Sequence, residues 1–309
     1  MKLFKFEPIY QERVWGGRSF ETKLDRKLPA HKVIGESWEI VDRPEAQSTL
    51  SDGTTIRELL LKRGAEIMGA NWDPDRPFPI LVKWLDCQEK LSLQVHPPAA
   101  IAPELGGEPK TENWYIADAT DEATLMAGLK RGVTKKQFVD ALDSGELEPL
   151  VHTLDVAQGE SIFIPSGRIH AIGGGNLILE IQQNSDTTYR VFDWGRVGLD
   201  GQPRDLHVEE SIKSTDFDDF EPDTLKPTDT SEQLLADSDV FRLRRVTLKA
   251  DEKLSLQAGD AKIISVVSGC LSTAEELLNQ GDNALLSASA DYDFIATEDA
   301  VLLITDQFV

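Results

Sequence analysis

The sequence predicts a mainly β protein, a barrel or sandwich with jelly rolls included, and three observations predict it. Short apolar runs with partial two-residue alternation recur along the chain. Proline and glycine clusters punctuate them, and only two stretches carry a helical period behind a start signal. The strand runs, in order, are 79–85, 91–96, 114–117, 161–164, 177–182 and 189–192. Breakers such as Asp73-Pro74-Asp75-Arg76-Pro77 and Gly173-Gly174-Gly175 separate them. The first helix, near 55–69, opens on the capping box Thr55-x-x-Glu58 and carries Ile56, Leu59, Leu60 and Ile67. The second, near 134–144, opens on Thr134-x-x-Gln137, continues through Phe138 and Leu142, and stops at Gly145.

From Asp216 to about Asp239 the chain turns acidic and polar, with Pro222 and Pro227, and reads as a linker or long loop. Beyond it, the runs 243–248, 263–267, 284–286 and 301–305 again predict strands, but no histidine lies among them. The expected organisation is a first domain over 1–225 that carries the chemistry. A second, metal-free β domain with a structural role is expected over 238–309.

With 32 Lys and Arg against 54 Asp and Glu, the formal charge of the 309 residues is −22. Nucleic-acid binding and polybasic membrane attachment call for the opposite sign. An acidic chain that handles an anion must build a local basic pocket against its own field, so the Arg and Lys inside motifs are informative. No stretch approaches the roughly 20 apolar residues of a membrane span, and the first residues lack a signal-peptide core. Cys87 and Cys270 are too few and too isolated for a disulfide framework or a thiolate site. A cytoplasmic protein is expected, with a reduced, buried Cys87, a small-molecule partner, and a monomeric or weakly homo-oligomeric state.

Of the five histidines, His31, His152 and His207 stand in polar or loop-like surroundings without a companion ligand. His96 differs, because Gln94 precedes it at strand spacing and both can point to one face. His170 follows an apolar strand that turns at Pro165-Ser166-Gly167. With Glu112 between them in the segment Lys110-Thr111-Glu112, the two imidazoles suit a catalytic metal that keeps a position open. Arg190 lies in an alternating run in which it is expected to share a face with Phe192 and Trp194. An arginine there is costly to bury without an anion or hydrogen-bond partner.

These segments resemble the type I mannose-6-phosphate isomerases, zinc-dependent phosphomannose isomerases of the cupin class, in their short bacterial form. The resemblance rests on Arg13-Val14-Trp15-Gly16-Gly17, Gly35-Glu36-Ser37-Trp38-Glu39-Ile40 and Leu91-Ser92-Leu93-Gln94-Val95-His96-Pro97. It continues through Lys110-Thr111-Glu112-Asn113-Trp114-Tyr115, Ile164-Pro165-Ser166-Gly167-Arg168-Ile169-His170-Ala171-Ile172-Gly173, and Glu180 to Arg190. It implies a cupin-type jelly-roll barrel with a small helical element and a second β-barrel-like domain. It also implies one Zn2+ held by His96, Glu112 and His170, with Gln94 as a further ligand, and Arg190 as the catalytic arginine. Lys110, Trp15, Glu36, Glu180 and Asp186 match positions lining the sugar pocket. The implied reaction interconverts mannose 6-phosphate and fructose 6-phosphate through an enediolate.

Two departures stand out. Arg168 occupies a position where relatives carry a small or uncharged residue, and, two before His170, it is expected on the metal-facing side. Pro98 replaces an aspartate. For the phosphate, the candidate cations are Lys110, Arg13, Lys83 and Arg168, with Lys110 favoured by position. The general base stays open among Glu180, Asp186, Lys110 and a metal-bound hydroxide. Two other classes fit the same donors: a non-haem metal dioxygenase, and a non-catalytic sugar-phosphate-binding cupin.

Overall fold

The computed structural model describes residues 3–308; Met1, Lys2 and Val309, the outer ends of the two expected domains, lie outside the described residues. Strands dominate, as the alternating runs require, with four α-helices among the described residues. Both capping boxes form. The Glu58 N–H donates to Thr55 Oγ1 at 3.1 Å and the Glu58 carboxylate accepts from the Thr55 N–H, so the first helix runs Ile56–Met68. Thr134 and Gln137 repeat the arrangement for Lys135–Ser144, which ends on Gly145 at φ +74°. Two short helices, Ser19–Lys23 and Val208–Ser214, were not expected, because neither is long enough to show a period.

The chain divides into two compact units. One comprises 10–37 and 84–226; the other comprises the residues up to Ile9, 38–83, and those from Pro227 onward. The second unit therefore takes in segments that a linear partition at 225–238 assigns to the first domain. The reason is strand pairing at long range, in which Leu3–Lys5 pairs antiparallel with Asn283–Leu286. That unit is built on a six-stranded and a four-stranded sheet around a core that includes Ile264, Val266, Leu271, Phe294 and Leu302. Its strands Arg242–Leu248, Lys262–Ser268, Asn283–Leu286 and Ala300–Asp306 follow the predicted runs.

The 10–37/84–226 unit positions the site. A five-stranded sheet has the order Val151–Asp155, Thr124–Leu129, His170–Ile172, Leu93–Val95, Tyr189–Phe192. Facing it is a six-stranded sheet with the order Ser161–Ile164, Glu112–Ala119, Asn176–Gln183, Ile80–Cys87, Ile34–Ile40, Ile9–Gly17. Trp114, Ile116, Ile162 and Ile178 of one sheet and Leu125, Ala127 and Ile172 of the other share a single core. The two sheets thus pack face to face in the manner of a jelly roll, and among the described residues neither closes on itself. The outer face of the five-stranded sheet, through Leu93, Val95, Met126, Ala171 and Val191, packs on Phe138, Ala141, Leu142 and Ile212 of two helices. Cys87 is buried and unpaired in a disulfide.

The acidic stretch is not a free linker. The Asp216 N–H donates to the Gly167 carbonyl at 2.8 Å, the Glu221 N–H to Leu129 at 3.0 Å, and Leu225 exchanges bonds with Ser161. Further on, Glu232–Asp237 is a strand paired with Arg242–Leu248. Charge and proline content describe its solvent side and hide the backbone pairing beneath.

Candidate metal centre

Strand register builds the site. In an antiparallel ladder, residues directly opposite one another point to the same face. Arg190 is opposite Gln94, Gln94 opposite His170, and His170 opposite Ala127, so one row crosses the inner face of the five-stranded sheet. Leu93 and Val95 belong to the outer core, which leaves Gln94 and His96 inward, as the two-residue spacing requires. From the facing sheet, Glu112 and Trp114 point inward, with Gln182 and Glu180 opposite them.

His96, Glu112 and His170 meet there, with one donor atom from each within 4.8 Å of the others. His96 Nε2 lies 3.5 Å from Glu112 Oε2, and His170 Nε2 lies 3.5 Å from Glu112 Oε1. The ring centroids are 4.7 Å apart, and Trp114 packs edge-on against His170 at 5.3 Å. All three residues are at most 1 % exposed. His96 Nδ1 and Nε2, His170 Nε2 and both Glu112 oxygens have no hydrogen-bond partner. Burying five such atoms without hydrogen bonds, only one of them (Glu112 Oε2) beside a counter-charge, is expensive unless another group satisfies them. Ligands about 2.0–2.1 Å from a common tetrahedral ion sit about 3.4 Å from one another. The donor set and its spacing therefore fit a divalent metal. Gln94, beside His170 in the row, can supply an amide oxygen.

The protonation states agree. Burial, with Lys110 beside it, pushes the His96 imidazole down to about 3, and burial likewise lowers His170, so both rings are neutral, the form in which an imidazole can bind a metal. His170 Nδ1 bonds the Arg168 carbonyl at 2.8 Å, which leaves Nε2 facing the site. Burial alone would raise Glu112, but Lys110 and the two histidines outweigh it and hold the carboxylate well below its usual range. Lys110 Nζ lies 3.0 Å from Glu112 Oε2, an ion-pair distance without hydrogen-bond direction. Burial acts to lower the Lys110 ammonium, but Glu112, Glu180 and Asp186 raise it above its ordinary value.

One turn braces all three residues. The Gly167 N–H donates to the His96 carbonyl at 2.8 Å, and the Lys110 N–H donates to Ser166 Oγ at 3.1 Å. Ser166 Oγ and Thr111 Oγ1 are 3.1 Å apart, and Gln183 Oε1 accepts from the Thr111 N–H at 2.8 Å. Gly167 sits at φ +97°, where a side chain is strained.

Three comparisons bear on this arrangement. Residues 3–119 match the model of the phosphomannose isomerase type I catalytic domain. The chain is 39% identical over 213 residues to the probable mannose-6-phosphate isomerase GmuF of Bacillus subtilis, covering 67% of this chain and 66% of that protein. It is 35% identical over 216 residues to the mannose-6-phosphate isomerase of Streptococcus mutans, covering 67% of each. The chain belongs to the type I phosphomannose isomerase family. The crystal structure of the Bacillus subtilis mannose 6-phosphate isomerase covers 100% of both chains, with a TM-score of 0.86 and 28% identity. The sequence match spans about two thirds of the length of the curated relatives.

The other residues singled out in the family motifs fall in different places. Glu180 is buried and accepts from Trp114 Nε1 at 2.9 Å. Asp186 is exposed and couples by charge to Lys110. Trp15 is buried in the core with Trp114, and Glu36 forms a two-point pair with Arg13. Arg13 is thus committed to a carboxylate. So is Arg168: its guanidinium pairs with Asp219 at 2.8 and 2.7 Å and donates to the Phe163 carbonyl, so it is neither a free phosphate cation nor a group turned to the ligands. Lys83 lies over the Trp38 ring at 5.0 Å.

Arg190 does not share a face with Phe192. A bulge shifts the register so that Arg190 is opposite Gln94 while Phe192 is opposite Leu93, which sends the aromatic outward. Arg190 Nη1 donates to the Asp205 carbonyl at 2.8 Å. Its backbone N–H donates to His207 Nδ1 at 3.1 Å, and the His207 N–H returns a bond to the Arg190 carbonyl. The sequence reading passed over His207, since nothing in a 17-residue separation marks the pairing. Ser166 and Thr111 were inside the motifs, and their hydroxyls were the available signal.

Proposed function

We propose that this chain interconverts mannose 6-phosphate and fructose 6-phosphate, using one zinc ion held by His96, Glu112, His170 and Gln94. The observation that carries the reading is the buried set of ligand atoms without hydrogen bonds on His96, Glu112 and His170, with His170 in register with Gln94 and, through it, with Arg190. Two imidazoles, a carboxylate and an amide oxygen suit zinc with an open position. Bound there, the ion supplies Lewis-acid polarisation of a sugar oxygen.

The chain's own groups do the rest. Moving a proton between C1 and C2 develops negative charge on oxygen, and a fixed guanidinium meets that charge. Burial lowers the Arg190 pKa, yet a guanidinium stays charged at working pH, so Arg190 stabilises charge and does not take the proton. Lys110, held as an ammonium by Glu112, Glu180 and Asp186, is a donor. Of the chain's own groups, the carboxylates of Glu180 and Asp186 then remain as candidates for proton abstraction. Trp114 and Glu180, bonded to one another, shape the floor beside the ligands. The 10–37/84–226 unit is the catalytic body in this reading.

The test is anaerobic turnover of mannose 6-phosphate by metal-replete protein, with elemental analysis of the metal. Isomerisation without O₂ uptake is expected. No conversion by zinc-loaded protein would overturn the assignment, and oxygen-dependent turnover with bound iron would replace it by the dioxygenase reading.

A further inference from the structure

We infer that Arg168 and Asp219 form a positioning pair that sets the tautomer and orientation of His170, so that the acidic segment after residue 215 is part of the metal centre's support. The inference rests on the metal reading above.

Arg168 closes the turn that precedes His170, its N–H donating to the Pro165 carbonyl at 3.1 Å. Its own carbonyl is the acceptor for His170 Nδ1 at 2.8 Å. That carbonyl can hold the ring only while the peptide after Arg168 keeps its direction. Three guanidinium bonds fix the residue that carries it: two to Asp219 at 2.8 and 2.7 Å, and one to Phe163 at 2.7 Å. A planar fork on a carboxylate is a geometric constraint as well as an attraction. Both side chains are only 15% exposed, which limits solvent screening.

Asp219 is itself anchored. Its carbonyl accepts from the Leu129 N–H at 2.9 Å, and Phe220 forms a parallel bridge with Leu129. Gly128 keeps the approach open, since a Cβ there would stand 3.1 Å from Asp219 Oδ2. The route is continuous: the end of strand Thr124–Leu129, Asp219, Arg168, its carbonyl, His170 Nδ1, and the Nε2 lone pair turned to Glu112. His96 has no such partner on Nδ1, so the support is particular to one ligand.

The experiment uses full-length protein and zinc ion. Zinc affinity is measured by competition with a chromophoric chelator, and the His170 ring-nitrogen shifts are read by NMR in the metal-free protein. Partners of this kind are worth about 10–100-fold in metal affinity. Because Arg168→Ala keeps the carbonyl, a loss of about tenfold is expected, with the two His170 tautomers mixing. Arg168→Lys and Asp219→Asn, gentler on folding, should lie between. Arg131→Ala, which removes only the exposed Glu221 pair on the same segment, should bind zinc as wild type does. Wild-type affinity and an unchanged His170 signal in Arg168→Ala would overturn the inference, as would an equal loss in Arg131→Ala. If wild-type protein fails to bind zinc, the metal reading falls. The tautomer signal then still decides the positioning claim.

Discussion

Replacing Arg190 by alanine tests the link between strand register and catalysis. Arg190 is two strands from His170 in one row, with Gln94 between them. At about 4.8 Å per strand, its Cα lies roughly 10 Å from that of His170, a span that an extended arginine side chain largely covers. Nη1 of the guanidinium donates to the Asp205 carbonyl, and Nε is buried without a partner. Losing one preorganised donor to a developing oxyanion costs about 10²–10³-fold in kcat, or about 2.7–4 kcal/mol. The interaction strengthens as charge develops, so kcat should fall more than KM rises. Arg190→Lys keeps a charge but not the fork, and partial recovery would make charge the larger contribution. The assay is steady-state turnover on protein whose zinc content matches wild type. Wild-type kcat in Arg190→Ala would refute the reasoning. A rise in KM alone would move Arg190 from the reacting oxygens to phosphate binding.

Other changes separate the roles of neighbouring groups. Lys110→Met strips a buried carboxylate of its counter-charge, so the metal-free variant should lose about 3–5 kcal/mol in urea denaturation, with zinc restoring much of it; equal stability with and without Lys110 would contradict the pairing. His96 has a folded-state pKa of about 3, below the roughly 6.5 of an unfolded chain. As pH falls, the unfolded chain binds the proton first, so His96 contributes stability above about 6.5 that is lost as pH drops towards 3. Metal-free wild type should therefore lose more stability between pH 7 and 4 than His96→Gln does, and parallel curves would count against a buried neutral ring. Phe138→Ala empties the outer face behind the site, where the ring meets Phe217 at 5.4 Å. It should cost about 3–5 kcal/mol of stability while the folded fraction keeps its kcat; a selective loss of kcat would show that the helix layer tunes the chemistry.

Much of the fold was legible because burial on a sheet writes a period of two into the chain. The same period made Gln94 and His96 readable as neighbours on one face, and capping chemistry fixed two helices to within a residue or two. The failures of pattern reading have one origin. Arg190 and Phe192 obey the alternation rule in sequence, yet a bulge inserts one residue and turns them to opposite faces. A bulge is a property of two strands, and one strand's sequence does not contain it. The grouping of 38–83 with the C-terminal strands has a similar source, since the Ala288 N–H bonds the Ile67 carbonyl and Ser287 Oγ bonds the Glu66 carbonyl, joining positions that no local pattern connects.

Charge reading failed in a more instructive way. In an acidic chain, the cations inside motifs looked like the phosphate pocket, but Arg13 answers Glu36 and Arg168 answers Asp219, while Lys110, kept as an ammonium, also sits beside Glu112. Each of these cations already has a carboxylate beside it, and two of the pairs bear on the metal ligands. Excess negative charge thus has a local use: Lys110 keeps Glu112 ionised, while the Asp219 pair holds the turn that aims His170. An acidic composition does not mark the acidic segments as solvent-facing. Asp216 through Glu221 is hydrogen-bonded to the turn before His170 and to the end of strand Thr124–Leu129. Removing that negative charge should therefore loosen the metal centre before it changes the protein's solubility.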